Sequence, residues 1–419
     1  MAVEAQTATV EASDANTRFL GLNGSGNLRR YTADALSVLA TGATTRRTLA
    51  ARFGDRLSLK DFGAVGDGTA NDTAAVQAAV DAGTTVYVGP GTYMVDQIVI
   101  DTPTHLILDP LAVIKARLPA SPATALDTTF WILKFVSGSS GSSVRGGTID
   151  GNRAVLAPYY DGHERLGQDN HWGGIRTEFV DDITVDGVTF RNVMHQALYF
   201  YGGQRCAARV KVINSGVAFA LQGSPGTLSK HDIDCIAENI SNYVGGLPYY
   251  FFQHGATAGF LKNSRISLRM KDYGGSAQGT DGNSTSGGKE PVPIALNLYA
   301  MERCTVDAGL DAYTGPAVHI GVNMSSVRDS HFRLDTYDFE NGLTLGSVQN
   351  SDFDVNLDGN YKNIAGYPRQ GVLVTFGGVF DPAESGLAGE TGANNTTDGV
   401  TFRGRVQRFG VGVRDEGAD

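Results

Sequence analysis

The sequence predicts an all-β chain wound as a parallel β-helix, and three observations carry that prediction. Glycine supplies 54 of 419 residues, nearly twice the ordinary share of about 7%, so the chain turns often. Charged residues make up only 19%, against an average of about 25%, which suits strands covered on several sides. Short apolar runs also recur, among them GGIRTEF, QALYFYG, GVAFALQG, PYYFFQHG, PIALNLYA, AVHIGVNM, NGLTLGS and QGVLVTFGG. Ile175, Leu198, Phe219, Phe252, Leu296, Ile320, Leu345 and Leu373 are taken as equivalents, and most neighbours in that series are separated by similar lengths of chain. A unit of roughly 23 residues therefore repeats, lengthened at the steps from Phe219 to Phe252 and from Phe252 to Leu296, as expected of a solenoid whose coils cannot bury their inner faces alone.

Each unit holds a second strand, as in ITVDGVTF, CTVDAGLDAY, SHFRLDTY and SDFDVNLDG, with Gly, Asn, Asp and Ser at the corners. A β-sandwich also spaces strands by turns, but it would not keep one two-strand unit over so long a stretch. A helix bundle is excluded, because glycine is costly in helix interiors. Disorder is excluded by 41% hydrophobic content with 16 Tyr and 19 Phe, enough to bury a large core.

The elements follow in order. Residues 1–56, with basic pairs at Arg29-Arg30 and Arg46-Arg47, show no sustained strand periodicity and are read as a small attachment module. Residues 57–419 form the solenoid domain. Leu57 to Phe62 reads as a short strand, Gly66-Asp67-Gly68 as a turn, and Asp72 or Thr73 as the N-cap of a helix to about Ala82. Val76, Ala79 and Val80 give that helix one apolar stripe, and Gly83 is placed to stop it. Thr85 to Val88 and Thr92 to Val95 read as strands around a Gly89-Pro90-Gly91 turn. A short amphipathic helix here caps the open end of the stack and hides edges that would otherwise pair with other chains.

Charge and cysteine content narrow the function. Thirty-four basic residues against 44 acidic give a net charge of -10, which argues against nucleic acid as a partner. Cys206, Cys235 and Cys304 lack CxxC spacing and are expected to be small buried hydrophobes. The N-terminal stretch MAVEAQTATVEASDANT has neither a basic nor an apolar signal region, and no apolar run of membrane-spanning length occurs. The expectation is a chain without a signal peptide and without membrane insertion.

Lys60-DFGAVGDGTANDTAAVQAAVDA followed by TTVYVGPGTYMV resembles the opening of the pectate-lyase-like right-handed β-helix superfamily. The stretches Gly146 to Asn152 and Gly173 to Asn192 are similar to its coils. The segment ALSVLATGATTRRTLAARFGDRLSLKDFGAVGDG resembles the junction of head and β-helix in phage or prophage tailspike-type proteins. The resemblance implies a polysaccharide depolymerase that acts on a bacterial polysaccharide, is homotrimeric, and is held on a phage baseplate or tail through its N-terminus. Its location would be the virion tail or the extracellular space. A secreted lyase acting on plant polymers is a further reading. The polygalacturonase motif series is absent, and the epimerase signature has only an echo in Tyr160-Asp161-Gly162-His163, so the resemblance carries the fold and not the reaction.

Strand alternation places Arg176, Glu178, Tyr199, Tyr201, Asn297, Tyr299, His319 and Asn323 on an outward face, with the side of His254 open. Aromatic faces and amides in a row suit sugars, although surface tyrosines also follow from β-propensity. The segment from Asn152 to Trp172 brings Asp161, His163, Glu164, Asp169 and His171 in just before Glu178. Glycoside hydrolysis needs two carboxylates, and Glu178 with Asp161, Glu164 or Asp169 is the candidate set. The loop acids Asp161, Glu164 and Asp169 would otherwise be solvated or pair with Arg165 and Arg176. The rival reaction is β-elimination from a uronate, with a Tyr or His as base and Arg176 neutralising the carboxylate. A third reading is a receptor-binding fibre that binds without cleaving. No cofactor is expected; calcium at Asp181-Asp182 or at Asp352 and Asp354 is weaker than a turn-forming role for these residues.

Overall fold

The structure is a computed structural model. It describes residues 18–22, 28–32, 37–38, 44–48, 51, 56–82, 85–117, 130–156, 172–223, 228–240, 252–256, 261–273, 294–312, 320–337, 339, 341–359, 370–374, 399–407 and 411–415. The chain divides into two units, Met1–Leu57 and Ser58–Asp419. Within the first, Arg18–Leu22 pairs antiparallel with Leu28–Thr32, and Ser37–Val38 with Arg47–Thr48.

At the start of the second unit, the expected strand over 57–62 is only Leu57–Ser58, followed by a 3-10 turn, Leu59–Phe62. A capping box explains the change: Asp61 Oδ2 accepts from Ser58 N at 2.9 Å, Ser58 Oγ accepts from Lys60 N at 3.4 Å, and Gly63 ends the turn with φ +88°. The glycine pair around Asp67 does not form a simple turn either. Asp67–Asn71 is a strand paired with Gly91–Val95.

The helix is Thr73–Ala82, and it buries Val76, Ala79 and Val80 as its periodicity predicted. Asp72 is not a side-chain cap. Its buried carboxylate accepts from Val65 N at 2.7 Å and Gly66 N at 3.2 Å, while Asn71 Oδ1 satisfies Thr73 N at 3.1 Å. The proposed stop at Gly83 lies outside the described residues.

From Thr85 onward the chain winds in parallel coils. The first coils have three strands each: Thr85–Val88, Gly91–Val95 and Ile98–Ile100; His105–Leu108, Ala112–Ala116 and Phe130–Phe135; Ser143–Arg145, Thr148–Asp150 and Trp172–Glu178. The strand Thr184–Arg191 then pairs with both Ser143–Arg145 and Thr148–Asp150, with a kink between Asp186 and Val188 where Gly187 has φ +66°. Beyond it each coil has two long strands. Among the described residues the result is one sixteen-stranded and one twelve-stranded sheet facing each other.

Backbone register tests the proposed repeat. Ile175, Leu198, Phe219, Phe252 and Leu296 are successive partners, as the sequence predicted. The ladder then continues through Val322, Leu343 and Val372 rather than Ile320, Leu345 and Leu373. An offset of two keeps a residue on the same face, and Leu345 is buried. Leu373 is offset by one, and it pairs with Thr344 instead.

The core lies between the sheets. Phe332 and Phe353 stack within it at 4.9 Å, matching the strand spacing, and Phe402 continues the stack by the same step toward the surface. At one corner Asn192, Asn214 and Asn239 adopt left-handed backbone with φ +50° to +53°, which asparagine tolerates, and Asn239 Nδ2 donates to Asn214 Oδ1 at 2.7 Å. At another, His231 Nδ1 accepts from Cys206 N at 3.3 Å, Ser264 Oγ from His231 N at 3.0 Å, and Ser330 Oγ from Cys304 N at 3.1 Å. All three cysteines are buried and free.

Two pairs of aspartates were considered for calcium. Asp181 and Asp182 both bind Arg205, at 3.0 and 2.7 Å, and that guanidinium holds the Asp182 carboxyl below the usual carboxylate range. Asp352 and Asp354 stand in a strand, Asp352–Asp358, not at a corner. No helix among the described residues is long and apolar enough to cross a membrane.

Candidate functional site

The twelve-stranded sheet presents one constellation that is separate from the core. Trp131, Tyr199 and Ala220 form a buried cluster of their own, with Tyr201 packed against it. Three consecutive coils supply the site: Phe130–Phe135, Trp172–Glu178 and Gln196–Tyr201 are paired in register, so Lys134, Arg176 and Tyr199 stand in one row. The Tyr199 hydroxyl donates to Gln222 Oε1 at 2.5 Å from the next coil.

Arg176 sits at the centre. Its Cζ lies 5.7 Å from the Trp131 ring, 5.4 Å from Tyr199 and 5.1 Å from Tyr201, within range of attraction to all three π faces. Glu178 Oε1 lies 3.0 Å from both Arg176 Nε and Lys134 Nζ. The Arg176 contact is an ion pair without hydrogen-bond geometry, since Nε makes no hydrogen bond. Glu178 and Lys134 remain about one quarter exposed. The result is an anionic oxygen held between two cations, beside an aromatic wall.

This arrangement depends on glycine at one position. A methyl group at Gly173 would fall 1.9 Å from Trp131 Cζ3, well inside carbon contact distance. Gly173 therefore makes the floor on which the indole lies.

Arg176, Glu178, Tyr199 and Tyr201 are thus brought together, and Arg176 pairs with Glu178; the loop acids for which that arginine was considered lie outside the described residues. Asn297 occupies the same ladder as Arg176, between Gln253 and Asn323, while Tyr299 pairs with Ser325. His254 pairs with Leu221, in the row that contains Thr177 and Phe200. Asp161, His163, Glu164, Asp169, His171 and His319 lie outside the described residues. Sequence reasoning missed Trp131 and Lys134, which lie one whole coil ahead of their register partners Gly173 and Arg176. The apolar run FWILKF, with its single lysine, was the available signal. It also missed a shallow groove of about 320 Å³ on the sixteen-stranded sheet, lined in part by Ile236, Glu238, Lys271, Asp335, Tyr337 and Asp358.

Residues 57–129 match the family model "Rhamnogalacturonase A/epimerase, pectate lyase-like", and the parallel coils continue that opening to Asp415. The chain is an all-β parallel β-helix protein whose opening is similar to that family. A plasmin and fibronectin-binding protein A of Streptococcus pneumoniae is 33% identical over 149 residues, 32% of this β-helix protein and 21% of that relative. The match thus spans about one fifth of the relative's length. The mannuronan C-5 epimerase A-module of Azotobacter vinelandii is 14% identical, covering 86% of this chain and 96% of that one at a TM-score of 0.41. An open-reading-frame product of Geobacillus virus E2 is 14% identical, covering 93% and 68% at 0.40.

Proposed function

We propose that this β-helix protein binds and cleaves glycosidic bonds of a bacterial surface polysaccharide on the outer face of its twelve-stranded sheet. The observation that carries the reading is the constellation of Glu178, Lys134 and Arg176 against Trp131, Tyr199 and Tyr201. Trp131 and Tyr199 are buried and pack against Arg176, Tyr201 offers a partly exposed ring to the CH face of a sugar, and charged groups fixed on rigid strands take its hydroxyls. Glu178 acts as base or nucleophile, and Asp161, Glu164 or Asp169 protonates the leaving oxygen. His163, His171, Tyr201, Asn297, Tyr299 and His319 are the proposed contacts along the chain of sugars; Tyr199 is buried, and His254 falls in register with the inward residues Phe200 and Leu221. In this reading the protein is a homotrimeric tailspike, attached to a virion tail through the module that ends at Arg56.

β-Elimination is the second reading. It is favoured by the two cations Lys134 and Arg176 on one face, which would neutralise a uronate carboxylate while a tyrosine takes the adjacent proton.

Reducing-end release from a panel of capsular and lipopolysaccharide preparations tests the enzyme. Glu178→Gln is expected to abolish release while the polymer is still retained; release at the wild-type rate removes Glu178 from the chemistry. Product with the ultraviolet absorbance of an unsaturated uronate selects elimination. Retention by the wild type with no release on any polymer leaves a receptor-binding fibre.

A further inference from the structure

From Ile175 the strand alternates inward and outward: Ile175 and Thr177 are buried, and Arg176 and Glu178 face out. Continued alternation would put Phe179 inside. Instead its backbone is left-handed, with φ +51°, so the chain turns there, Val180 takes the buried place and the Phe179 ring stands 51% exposed. Two consecutive residues, a carboxylate and a phenyl ring, therefore face the same way.

This conformation is unfavourable for a bulky side chain. The equivalent corner, four residues beyond the inward ladder residue, is also left-handed in three other coils, and there it holds Gly202, Ala300 and Ser326. Small residues occupy the corner with little bulk; only this coil of the four places an aromatic on it. The neighbouring coil accommodates the ring. A methyl at Gly202 would fall 2.4 Å from Phe179 Cδ1, and Tyr201 meets the ring edge-on, with centroids 4.9 Å apart at 66°. Phe179 N donates to Tyr201 O at 2.7 Å, which fixes the turn.

We propose that Phe179 and Tyr201 form a stacking subsite for the apolar CH face of a pyranose ring, placed to set that ring against Glu178 and Lys134. The inference rests on the polysaccharide reading above and deepens it. A ring kept in a disfavoured backbone, exposed, and next to a charged group on the same face has the properties of a sugar platform. A core role is excluded by the exposure itself. An apolar pair bordered by a carboxylate and an ammonium matches a ligand that is apolar on one face and rich in hydroxyls at its rim.

The test is Phe179→Gly, which suits the left-handed backbone, with Phe179→Tyr as the conservative variant. Both are compared with the wild type for retention of the same capsular and lipopolysaccharide panel, for melting temperature, and for mass in sedimentation. Expected is a loss of about 10-fold or more in affinity for the retained polymer in F179G, near wild-type affinity in F179Y, and a melting temperature in F179G within about 2 °C of wild type. Equal affinity of F179G and wild type overturns the subsite while leaving the functional reading intact. A change of sedimenting mass in F179G assigns the ring to a contact between copies and also overturns it. A wild type that retains no polymer of the panel overturns the functional reading, and the subsite with it.

Discussion

Gly173→Ala isolates the packing beneath the site. The position is not left-handed, so alanine carries no backbone penalty there and the whole effect is steric. The new methyl would lie 1.9, 2.3 and 2.5 Å from three carbons of the Trp131 ring. Restoring a contact of about 3.5 Å requires the indole to move by at least about 1.6 Å, and Trp131 is fully buried. Overpacking of this kind costs about 1–3 kcal/mol, or a fall of about 1–4 °C in melting temperature for a domain of this size. The displaced ring would also draw away from Tyr199 and Arg176, weakening polysaccharide retention together with stability. Calorimetry reads the first effect, and tryptophan emission in a Trp172→Phe background reads the ring itself. Trp131→Ala should remove most of the Gly173→Ala penalty, since the three atoms nearest the new methyl all belong to the Trp131 ring. An unchanged melting temperature with unchanged emission, or an equal penalty in the Trp131→Ala background, refutes this packing.

Two further outcomes are expected. Glu302 is buried among Arg303, Arg328 and Lys262 at 2.7, 2.9 and 3.1 Å, and hydrogen bonds first from Arg328 and then from Lys262 hold its carboxyl below the usual range. Its contribution is therefore complete above the unfolded value near 4.5 and lost as pH falls through the lower folded value; denaturant titrations should show Glu302→Gln less stable than wild type by about 1–3 kcal/mol at pH 7, with the gap closing below about pH 4.5, and a gap independent of pH refutes the assignment. Burial pushes the Cys206 and Cys304 thiols up to about 12 and 11 and raises Cys235 as well, so an aromatic disulfide reagent at pH 8 should find no fast-reacting thiol in the native chain and all three after denaturation; rapid native labelling contradicts the burial.

The solenoid was legible because its inner face is written in single residues: an isoleucine or leucine every twenty-odd positions survives insertions that move everything around it. The face of Arg176, Glu178, Tyr199 and Tyr201 followed from the same alternation. What was not legible depends on register between distant segments. Lys134 meets Arg176 only after the chain has travelled a complete coil, and nothing local announces that pairing. Phe179 was hidden for the opposite reason, because alternation places residues only as far as the corner, and there the backbone reverses hand. The glycine pair Gly202-Gly203 in the next coil was the signal that the corner existed. Ile320, Leu345 and Leu373 went astray where coil lengths change and the apolar residues on either side offer equally plausible anchors.

The orderly succession of strands in the twelve-stranded sheet has a dimensional consequence. Eleven strands follow one another along its path, and at about 4.8 Å each they set out roughly 48 Å in equal steps. The register couples Thr305 to His331 and Cys304 N to Ser330, so residues 305–330 constitute one whole turn that begins and ends at matching points. Length in such a molecule is quantised: it can grow or shrink only by complete turns, and each turn shifts everything beyond it by the same increment while leaving the geometry on either side unaltered. The protein is in that sense a ruler, with its graduations set by the hydrogen-bond spacing and its total reach set by how many turns the chain encodes.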